Sequence, residues 1–324
     1  MPKRRGNPTR RNPDTVTGRL VQTLPPGPVD VVGDVHGEID ALENVLTHLA
    51  AADRGKRFLV FVGDLVDRGP DSPAVVARVQ ALVDAGRAIC LLGNHELNLL
   101  LGDEKQGNHW FYDTSERADD PIVQVPVQQA DAELRESLLA FFRRLPLAAV
   151  REDLRIVHAC WQHDVQRALA DSDAPAALTL YREHEHRIRA ELEAAGVTDS
   201  VAVELAHQNQ NPVKVVTSGL EERTDRPFDA GGQYRQRCNS RWWNDYTDPV
   251  ACVFGHYSRP PVRVDRSIHR ELGDTDPYAT LGPGAAICID YGVGHRWRTR
   301  AGLPADGRPP RRLAALRWPV QELL

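Results

Sequence analysis

The chain has 324 residues, of which 41% are hydrophobic, and its formal net charge is −5. This length allows one large domain with insertions, or at most two domains. The acidic balance argues against a general nucleic-acid-binding surface, which requires clustered cationic residues. No apolar stretch approaches the roughly 20 residues that span a bilayer. We therefore expect no stable nucleic-acid binding and no membrane partner.

The N-terminal segment is basic and lacks the apolar core of a signal peptide. It predicts a disordered tail over residues 1–24, followed by a single domain over residues 25–324. Five cysteines, an odd count, show no short metal-binding or redox spacing. Free buried thiols in a reducing compartment fit this pattern better than disulfides, so we expect a cytoplasmic protein.

Three successive segments of the first hundred residues follow one plan, in which a short apolar run leads to a polar motif and then to a helix. The apolar runs cover 28–32, 58–62 and 88–92, and the first two helical patterns cover 39–52 and 72–85. Helical crossovers suit parallel strands, whose carboxyl ends face one crevice. The sequence therefore predicts an α/β fold with largely parallel strands and one shared site.

The rest of the chain is less regular. Residues 103–131 predict an exposed flap with an aromatic patch at 109–112, and a helix follows over 132–142. An insert or lid of about 161–247, with a helix over 177–195, separates a strand at 155–158 from one at 250–254. Strands at 285–291 and 313–320 complete the predicted domain.

The polar motifs are Gly-Asp-Val-His-Gly at 33–37, Gly-Asp-Leu-Val-Asp-Arg-Gly at 63–69 and Gly-Asn-His-Glu at 93–96. Their carboxylate, imidazole and amide groups suit divalent manganese, iron or zinc. The chain also carries a histidine after each of two later strands. The candidate metal ligands are Asp34, His36, Asp64, Asn94, His158 and His256.

The same residues suggest a reaction. If Asp64 bridges two ions about 3.5–4 Å apart, a hydroxide between them becomes a nucleophile for phosphorus near neutral pH. His95 is the candidate proton donor to the leaving group, oriented by Asp67. Arg68 offers a planar fork for two phosphate oxygens, and Asn94 is a further candidate phosphate contact.

These motifs resemble the phosphoprotein phosphatase family of calcineurin-like metallophosphoesterases, which includes bacterial and phage protein phosphatases and diadenosine tetraphosphatases. The resemblance covers residues 29–100, and His158 and His256 extend it to about residue 290. It implies two facing mixed β-sheets flanked by helices, and the metal, acid and phosphate roles given above. It also implies a second phosphate-binding arginine, for which Arg241 is our candidate and Arg235 and Arg237 are alternatives.

Two positions depart from the family pattern. The family usually has Gly where this chain has Cys160, and Thr where it has Tyr257. Both histidines that these residues follow are retained, so we expect metal binding to be kept. We expect these two departures to affect the access of the substrate or the surroundings of the metals.

The substrate is left open between several hypotheses. The main prediction is a phosphomonoesterase like the protein Ser/Thr or Tyr phosphatases, acting on a phosphorylated protein or peptide with two divalent ions, manganese being preferred. The alternative is a dinucleoside polyphosphate hydrolase, favoured if segments 103–120 and 230–247 close an aromatic pocket. Trp242 and Trp243 would then stack on a base, although lid or core packing is the simpler interpretation. A third hypothesis is a catalytically weak phosphate-binding regulator.

Overall fold

Two five-stranded mixed sheets form the centre of the protein in the computed structural model, which describes residues 20–53, 56–112, 120–230, 233–264, 272–303 and 311–324. A two-stranded hairpin is separate from them. The described strands are, in chain order, β1 (Val21–Thr23), β2 (Val29–Val32), β3 (Phe58–Phe61), β4 (Ala88–Cys90), β5 (Ala148–Arg151), β6 (Leu154–Val157), β7 (Glu221–Ala230), β8 (Gln233–Asn239), β9 (Ala251–Phe254), β10 (Ala286–Cys288), β11 (Ala315–Trp318) and β12 (Glu322–Leu323).

Helices occupy most of the long connections between these strands. The described α-helices are α1 (Ile39–Asp53), α2 (Ser72–Asp84), α3 (Asn94–Leu101), α4 (Ala132–Phe142), α5 (His163–Ala170), α6 (Ala177–Ala194), α7 (Ser200–Asn209), α8 (Pro212–Ser218) and α9 (Trp297–Arg300). Short 3₁₀ turns cover Trp242–Asn244 and Val293–Arg296. The predicted helix over 132–142 is confirmed, and its start is set by Asp131, whose carboxylate accepts a hydrogen bond from the backbone N–H of Leu134.

Strand pairing confirms part of the predicted topology. One sheet has the order β12-β11-β2-β3-β4, and its strands β2, β3 and β4 are parallel as predicted. The other has the order β1-β5-β6-β9-β10, in which β5 and β6 are antiparallel. The other three pairings of this sheet are parallel, so its strands are largely parallel, as expected. The exception is β5 and β6, because the short turn between them can only reverse the chain.

The two sheets face each other across an apolar layer. Alternate residues of a strand point to the same face, so Val29 and Val31 of β2 enter this layer together. Ile156 of β6 and Val253 of β9 meet them from the other sheet, and all four are fully buried. A second apolar cluster joins the sheets to the helices. The fold of two facing mixed sheets flanked by helices is therefore confirmed.

The N-terminal segment contributes to a sheet. Val21–Thr23, assigned to the tail by the sequence, form β1 and pair in parallel with Ala148–Val150. The tail prediction is wrong for these residues, because a short polar-flanked strand has little sequence signal of its own. Residues 1–19 lie outside the described part of the chain.

The predicted insert at 161–247 contains helices α5 to α8 and the β7–β8 hairpin. Only the helix over 177–195 was predicted, and the structure gives it as α6. Helix α8 is held against the end of β6, because the backbone N–H of Ala159 donates to Val216 O at 2.8 Å. Val213, Val215 and Val216 are fully buried. The insert thus packs next to the predicted site, while its role as a lid stays a prediction.

Two aromatic groups lie in the core. Trp110 and Phe111 are 1% and 4% exposed, and Trp242 and Trp243 are 2% and 1% exposed. The expectation of an exposed flap is therefore wrong for residues 110 and 111, and residues 113–119 lie outside the described part. Trp243 stacks on Phe254 with ring centroids 5.8 Å apart, so core packing is the confirmed interpretation of the tryptophan pair.

The five cysteines all lie in the described part of the chain and form no disulfide. Burial raises the pKa of the Cys160 thiol well above its usual range, so this residue packs as a neutral group. Among the described helices, none has both the length and the apolarity of a bilayer-spanning segment.

Candidate metal centre

The carboxyl ends of strands from both sheets bring the predicted residues together. Asp34 and Asp64 follow β2 and β3, and Asn94 begins α3 after β4. His158 and His256 follow β6 and β9 of the facing sheet. The sheets meet at these side chains, since His158 Nε2 lies 3.4 Å from Asp64 Oδ1. The predicted convergence on one crevice is confirmed.

Several of these residues have strained backbones. His36, Asp64, Asp67, Arg68 and His256 all have positive φ, between 49° and 73°. Residues other than glycine seldom adopt this left-handed conformation, which persists only where surrounding contacts enforce it. The residues with a strained backbone therefore lie in the segments for which the sequence predicted a metal site.

Glycines precede the ligands because the chain segments approach each other closely. A Cβ atom at Gly63 would lie 2.6 Å from the backbone nitrogen of Gly93, and Gly63 has a φ of 108°. A Cβ atom at Gly255 would collide with Asp34 Oδ1. A side chain at either position would separate the segments that hold the site.

Glu96 fixes the loop that carries Asp64. Its carboxylate accepts hydrogen bonds from the backbone N–H groups of Asp64 (2.9 Å), Leu65 (2.7 Å) and Gly93 (3.0 Å). The residue is fully buried, and burial raises its pKa to about 7. Glu96 thus joins the second and third motifs, in keeping with its place beside His95.

His36 presents one ring nitrogen to the crevice. Its Nδ1 lies 3.1 Å from Val66 O, which assigns the proton to Nδ1 and leaves a lone pair on Nε2. Nε2 lies 3.7 Å from Asp64 Oδ2 and accepts a hydrogen bond from Arg68 Nη1 at 3.2 Å. Burial, followed by the charge of Arg68, lowers the His36 pKa. The ring is therefore suited to bind a cation in its neutral form.

A second group surrounds Asn94. The Oδ1 atom of Asn94 lies 3.1 Å from His158 Nε2 and 2.9 Å from His256 Nδ1. His158 Nδ1 lies 2.9 Å from Val62 O, so this carbonyl orients the ring. Burial alone would lower the His158 pKa, but Asp64 outweighs it and raises the pKa to about 10. A proton on His158 Nε2 would interact favourably with Asn94 Oδ1 and Asp64 Oδ1. A metal cation bound by the same two oxygens would take the place of this proton.

Asp64 belongs to both groups that could hold a metal ion in the described part of the chain. One group joins it with His36 and His95, the other with His158 and His256, and the ligand atoms within each lie within 4.8 Å of one another. This arrangement of nitrogen and oxygen donors fits two divalent ions that share one carboxylate.

Asp34 supplies an independent sign of a cation. Its Oδ2 accepts the backbone N–H of His256 at 2.9 Å, while Oδ1 is buried without a hydrogen-bond partner among the described residues. Burial, followed by the charge of Asp290, raises the Asp34 pKa well above its usual range. A divalent cation at Oδ1 would offset both effects. The residues present therefore fit the implied metal centre.

His95 forms a dyad with Asp67, as predicted. His95 Nδ1 lies 2.6 Å from Asp67 Oδ2, and His95 Nε2 lies 3.1 Å from Arg68 Nη2. The other oxygen, Asp67 Oδ1, accepts a hydrogen bond from Trp110 Nε1 at 2.6 Å. The sequence did not assign Trp110 to the site. Its only signal was an indole N–H that needs a partner when it is buried.

The second phosphate-binding arginine stays a prediction. Arg241 Nη2 lies 3.3 Å from Asp274 Oδ1, and the competing Arg237 forms ion pairs with Glu204 and Glu221. These contacts use carboxylates outside the metal centre. The sequence also did not assign Asp290, whose carboxylate accepts the backbone N–H of Ser258 at 2.7 Å behind the site.

The Tyr257 departure places an aromatic ring beside a candidate ligand. The ring centroids of Tyr257 and His256 are 5.0 Å apart in an edge-on arrangement, and Tyr257 contacts Trp243 in the same way at 4.9 Å. The bulky ring therefore connects His256 to the core. Both histidines keep the positions predicted for them.

Comparisons with known proteins agree with this geometry. The calcineurin-like phosphoesterase profile matches residues 27–277. Over 142 residues the chain is 37% identical to "Bis(5'-nucleosyl)-tetraphosphatase, symmetrical" of Ralstonia nicotianae, with 43% of each chain covered. Over 164 residues it is 34% identical to the protein of the same name in Bordetella parapertussis, with 50% of this chain and 52% of that protein covered.

These matches thus span about half or less of the length of the curated relatives. A crystal structure of a point mutant of a cold-active protein tyrosine phosphatase shares the fold, with a TM-score of 0.50 and 16% identity over 94% of this chain and 78% of that one. The profile match covers most of the chain, including all candidate ligands. The chain belongs to the calcineurin-like phosphoesterases, a family of metal-dependent phosphoester hydrolases.

Proposed function

We propose that this protein hydrolyses dinucleoside polyphosphates such as diadenosine tetraphosphate at a centre of two divalent ions. The observation that carries the chemistry is the position of Asp64 in both candidate metal groups. The nucleotide substrate is supported by the names of the partial relatives in Ralstonia and Bordetella. The proposal thus favours the alternative substrate over a phosphoprotein, for which the curated relatives give no specific support.

The proposed ligands divide between the two ions. Asp34 and His36 would hold one ion, and Asn94, His158 and His256 the other, with Asp64 shared between them. When bound, two divalent ions neutralise phosphate charge and lower the pKa of water, with manganese preferred and iron or zinc as alternatives. The buried Asp34 Oδ1 atom and the orientation of the His36 and His158 rings by backbone carbonyls support this assignment.

The roles of His95 and Arg68 follow from their contacts. Asp67 binds His95 Nδ1 and fixes the orientation of the ring, in which Nε2 would give a proton to the leaving oxygen. The Arg68 guanidinium lies beside both His36 Nε2 and His95 Nε2, where it would bind phosphate oxygens and stabilise transition-state charge. His95 also belongs to a candidate metal group, so its role requires a direct test.

A phosphorylated protein is the second candidate substrate. The aromatic pocket that would have favoured a dinucleotide does not form from Trp110, Phe111, Trp242 or Trp243, all of which are buried. A site without these stacking rings also suits a phosphorylated side chain.

The test is a competition between equal concentrations of diadenosine tetraphosphate and a mixture of phosphopeptides, with Mn²⁺ present and all products resolved by chromatography. We expect preferential cleavage of the dinucleotide, and two ADP molecules if the central bridge is cut. Preferential release of phosphate from peptides would support the second candidate. Inactivity towards both would refute both substrates and favour a phosphate-binding regulator.

Two variants test the roles of the residues. His95→Ala should lose about 100-fold or more in kcat, the usual range for a general acid, while it keeps its bound metal. Asp64→Ala should lose both metal and activity, because both groups share this carboxylate. Equal loss of metal in the two variants, measured by elemental analysis, would make His95 a ligand and contradict its role as proton donor.

A further inference from the structure

Residues 103–112, which we call the flap loop, contact the segment that carries Asp67 and Arg68. The backbone N–H of Arg68 donates to Gly107 O at 3.1 Å, and Trp110 Nε1 donates to Asp67 Oδ1 at 2.6 Å. Trp110 is 1% exposed and Asp67 is fully buried. A hydrogen bond to a carboxylate is strong in such a dry environment. The flap loop therefore reaches the centre of the site through its backbone and through one buried side chain.

The segment that the flap loop contacts is strained. Asp67 and Arg68 have φ values of 73° and 68°, so two adjacent residues with side chains adopt the left-handed conformation. Their backbone N–H groups are bound by Ser72 Oγ, at 2.9 Å from Asp67 N, and by Gly107 O. Such conformations persist when neighbouring contacts fix them. The flap loop supplies one of these contacts and the anchor of the Asp67 side chain.

The two oxygens of Asp67 have separate partners. Oδ1 accepts the indole N–H of Trp110, and Oδ2 accepts the Nδ1–H of His95, each at 2.6 Å. The terminal torsion of an aspartate is broad, so a carboxylate with one partner can rotate. With both oxygens bound, the plane of the carboxylate is fixed and the His95 ring is directed with Nε2 towards Arg68.

We propose that Trp110 is a positioning residue, which acts through Asp67 to hold His95 in the orientation for proton donation. This inference rests on the function proposed above. In the reaction, a P–O bond forms to the oxygen of water, which releases a proton to solvent, while the P–O bond to the leaving group breaks. The leaving oxygen takes the electron pair and a proton from His95 Nε2, and the ring regains a proton from solvent.

Substrates with different leaving groups can distinguish a positioning role of Trp110 from a role in packing alone. An alkoxide is a poor leaving group and needs the proton, whereas a nitrophenolate departs readily without it. Loss of correct positioning should therefore slow the cleavage of an alkyl phosphate far more than that of 4-nitrophenyl phosphate. A packing defect should slow both reactions equally.

The test compares Trp110→Phe with the matched control Trp242→Phe. Both parent residues are buried in the same apolar cluster, but the Trp242 indole nitrogen has no hydrogen-bond partner among the described residues. For Trp110→Phe we expect kcat to fall about 10-fold or more with O-phosphoserine and less than about 3-fold with 4-nitrophenyl phosphate, a fraction of a full general-acid effect. Trp242→Phe should change both rates by one common factor.

A second readout is independent of activity. In ¹⁵N-histidine-labelled protein with Zn²⁺, which is diamagnetic, the Nδ1–H signal of His95 should lie downfield because of its short bond to Asp67. The signal is assigned by its loss in His95→Gln. It should move in Trp110→Phe and stay in place in Trp242→Phe. If the parent protein hydrolyses neither diadenosine tetraphosphate nor a phosphomonoester, the proposed function fails, and this spectrum still tests the positioning.

Equal losses of kcat on both substrates in Trp110→Phe, or an unmoved His95 signal, would overturn the proposal. If the phenylalanine variant does not fold, 3-benzothienylalanine at position 110 serves instead. That residue keeps the bicyclic shape of the indole and lacks only its N–H donor. It should give the same selective loss with the poor leaving group.

Discussion

Replacement of Glu96 tests how the strained Asp64 loop is held. Each buried N–H group that loses its acceptor costs about 1–3 kcal/mol. Glu96→Ala leaves three such groups, on Asp64, Leu65 and Gly93, and should lower the free energy of unfolding by at least about 3 kcal/mol. Glu96→Gln should lower it by only about 1–3 kcal/mol, because its amide oxygen can replace the oxygen that serves Asp64 and Gly93.

The assay is urea unfolding at pH 8 with a chelator present, so that changes in metal binding do not contribute. Glu43→Ala is the control, since Glu43 forms an ion pair with Arg78 at the surface with its side chain 47% exposed. An exposed pair contributes about 0–1 kcal/mol. A loss in Glu96→Ala no greater than in Glu43→Ala, with equal urea slopes, would refute the argument that Glu96 holds the loop.

Three further variants test the metal centre and a surface ion pair. Asp34→Asn should change stability in chelator by less than about 1 kcal/mol, yet it should lose the stabilisation by Mn²⁺, about 2.7 kcal/mol at 100 times the Kd. Gly294→Ala should weaken Mn²⁺ binding about 10-fold in a calorimetric titration, because its Cβ would lie 2.5 Å from His36 Cδ2. A hydrogen bond from Arg151 lowers the pKa of Asp153 to about 2, so its contribution is complete above the unfolded value of about 3.9 and is lost as pH falls towards 2. Asp153→Asn should therefore cost up to about 1 kcal/mol in urea unfolding at pH 7, and less at pH 3.

Each of these expectations can fail in a defined way. Full stabilisation of Asp34→Asn by Mn²⁺ would remove Asp34 from the ligands. Gly302→Ala is the control for Gly294→Ala, since no atom of the described residues other than its chain neighbours lies within 4 Å of the added Cβ. Equal Mn²⁺ affinities in the two variants would contradict the steric argument. A stability difference for Asp153→Asn that grows on acidification would contradict the direction of the pKa shift.

Local patterns were sufficient to predict much of the site. A short apolar run followed by a polar motif located Asp34, Asp64 and Asn94 at strand ends. The reason is that the apolar run forms a buried strand, and the polar residues after it lie at the carboxyl end of that strand. The predicted start of α2 at residue 72 is also confirmed. The structure shows that Asp71 caps this helix, with its Oδ1 accepting the N–H of Ala74 at 2.9 Å.

Other features depended on packing between distant segments. Val21–Thr23 form a strand because they pair with Ala148–Val150, although their own sequence contains no clear strand pattern. Trp242 and Trp243 are buried in the core, whereas the sequence was also compatible with a position of these rings in a nucleotide pocket. Solvent exposure of an aromatic residue depends on which segments cover it, and residue type alone does not determine this.

The sequence by itself determined the chemical groups of the metal centre and the strand ends that carry them, because these follow from residue type and short-range spacing. Only the tertiary structure decided which groups meet. His256 donates to Asp34 across 222 positions of sequence, and Trp110 holds Asp67 across 43. Such contacts leave no periodic signal, since their geometry arises when the two sheets and the flap loop pack around one crevice. The orientation of the proposed proton donor is therefore a property of the fold as a whole.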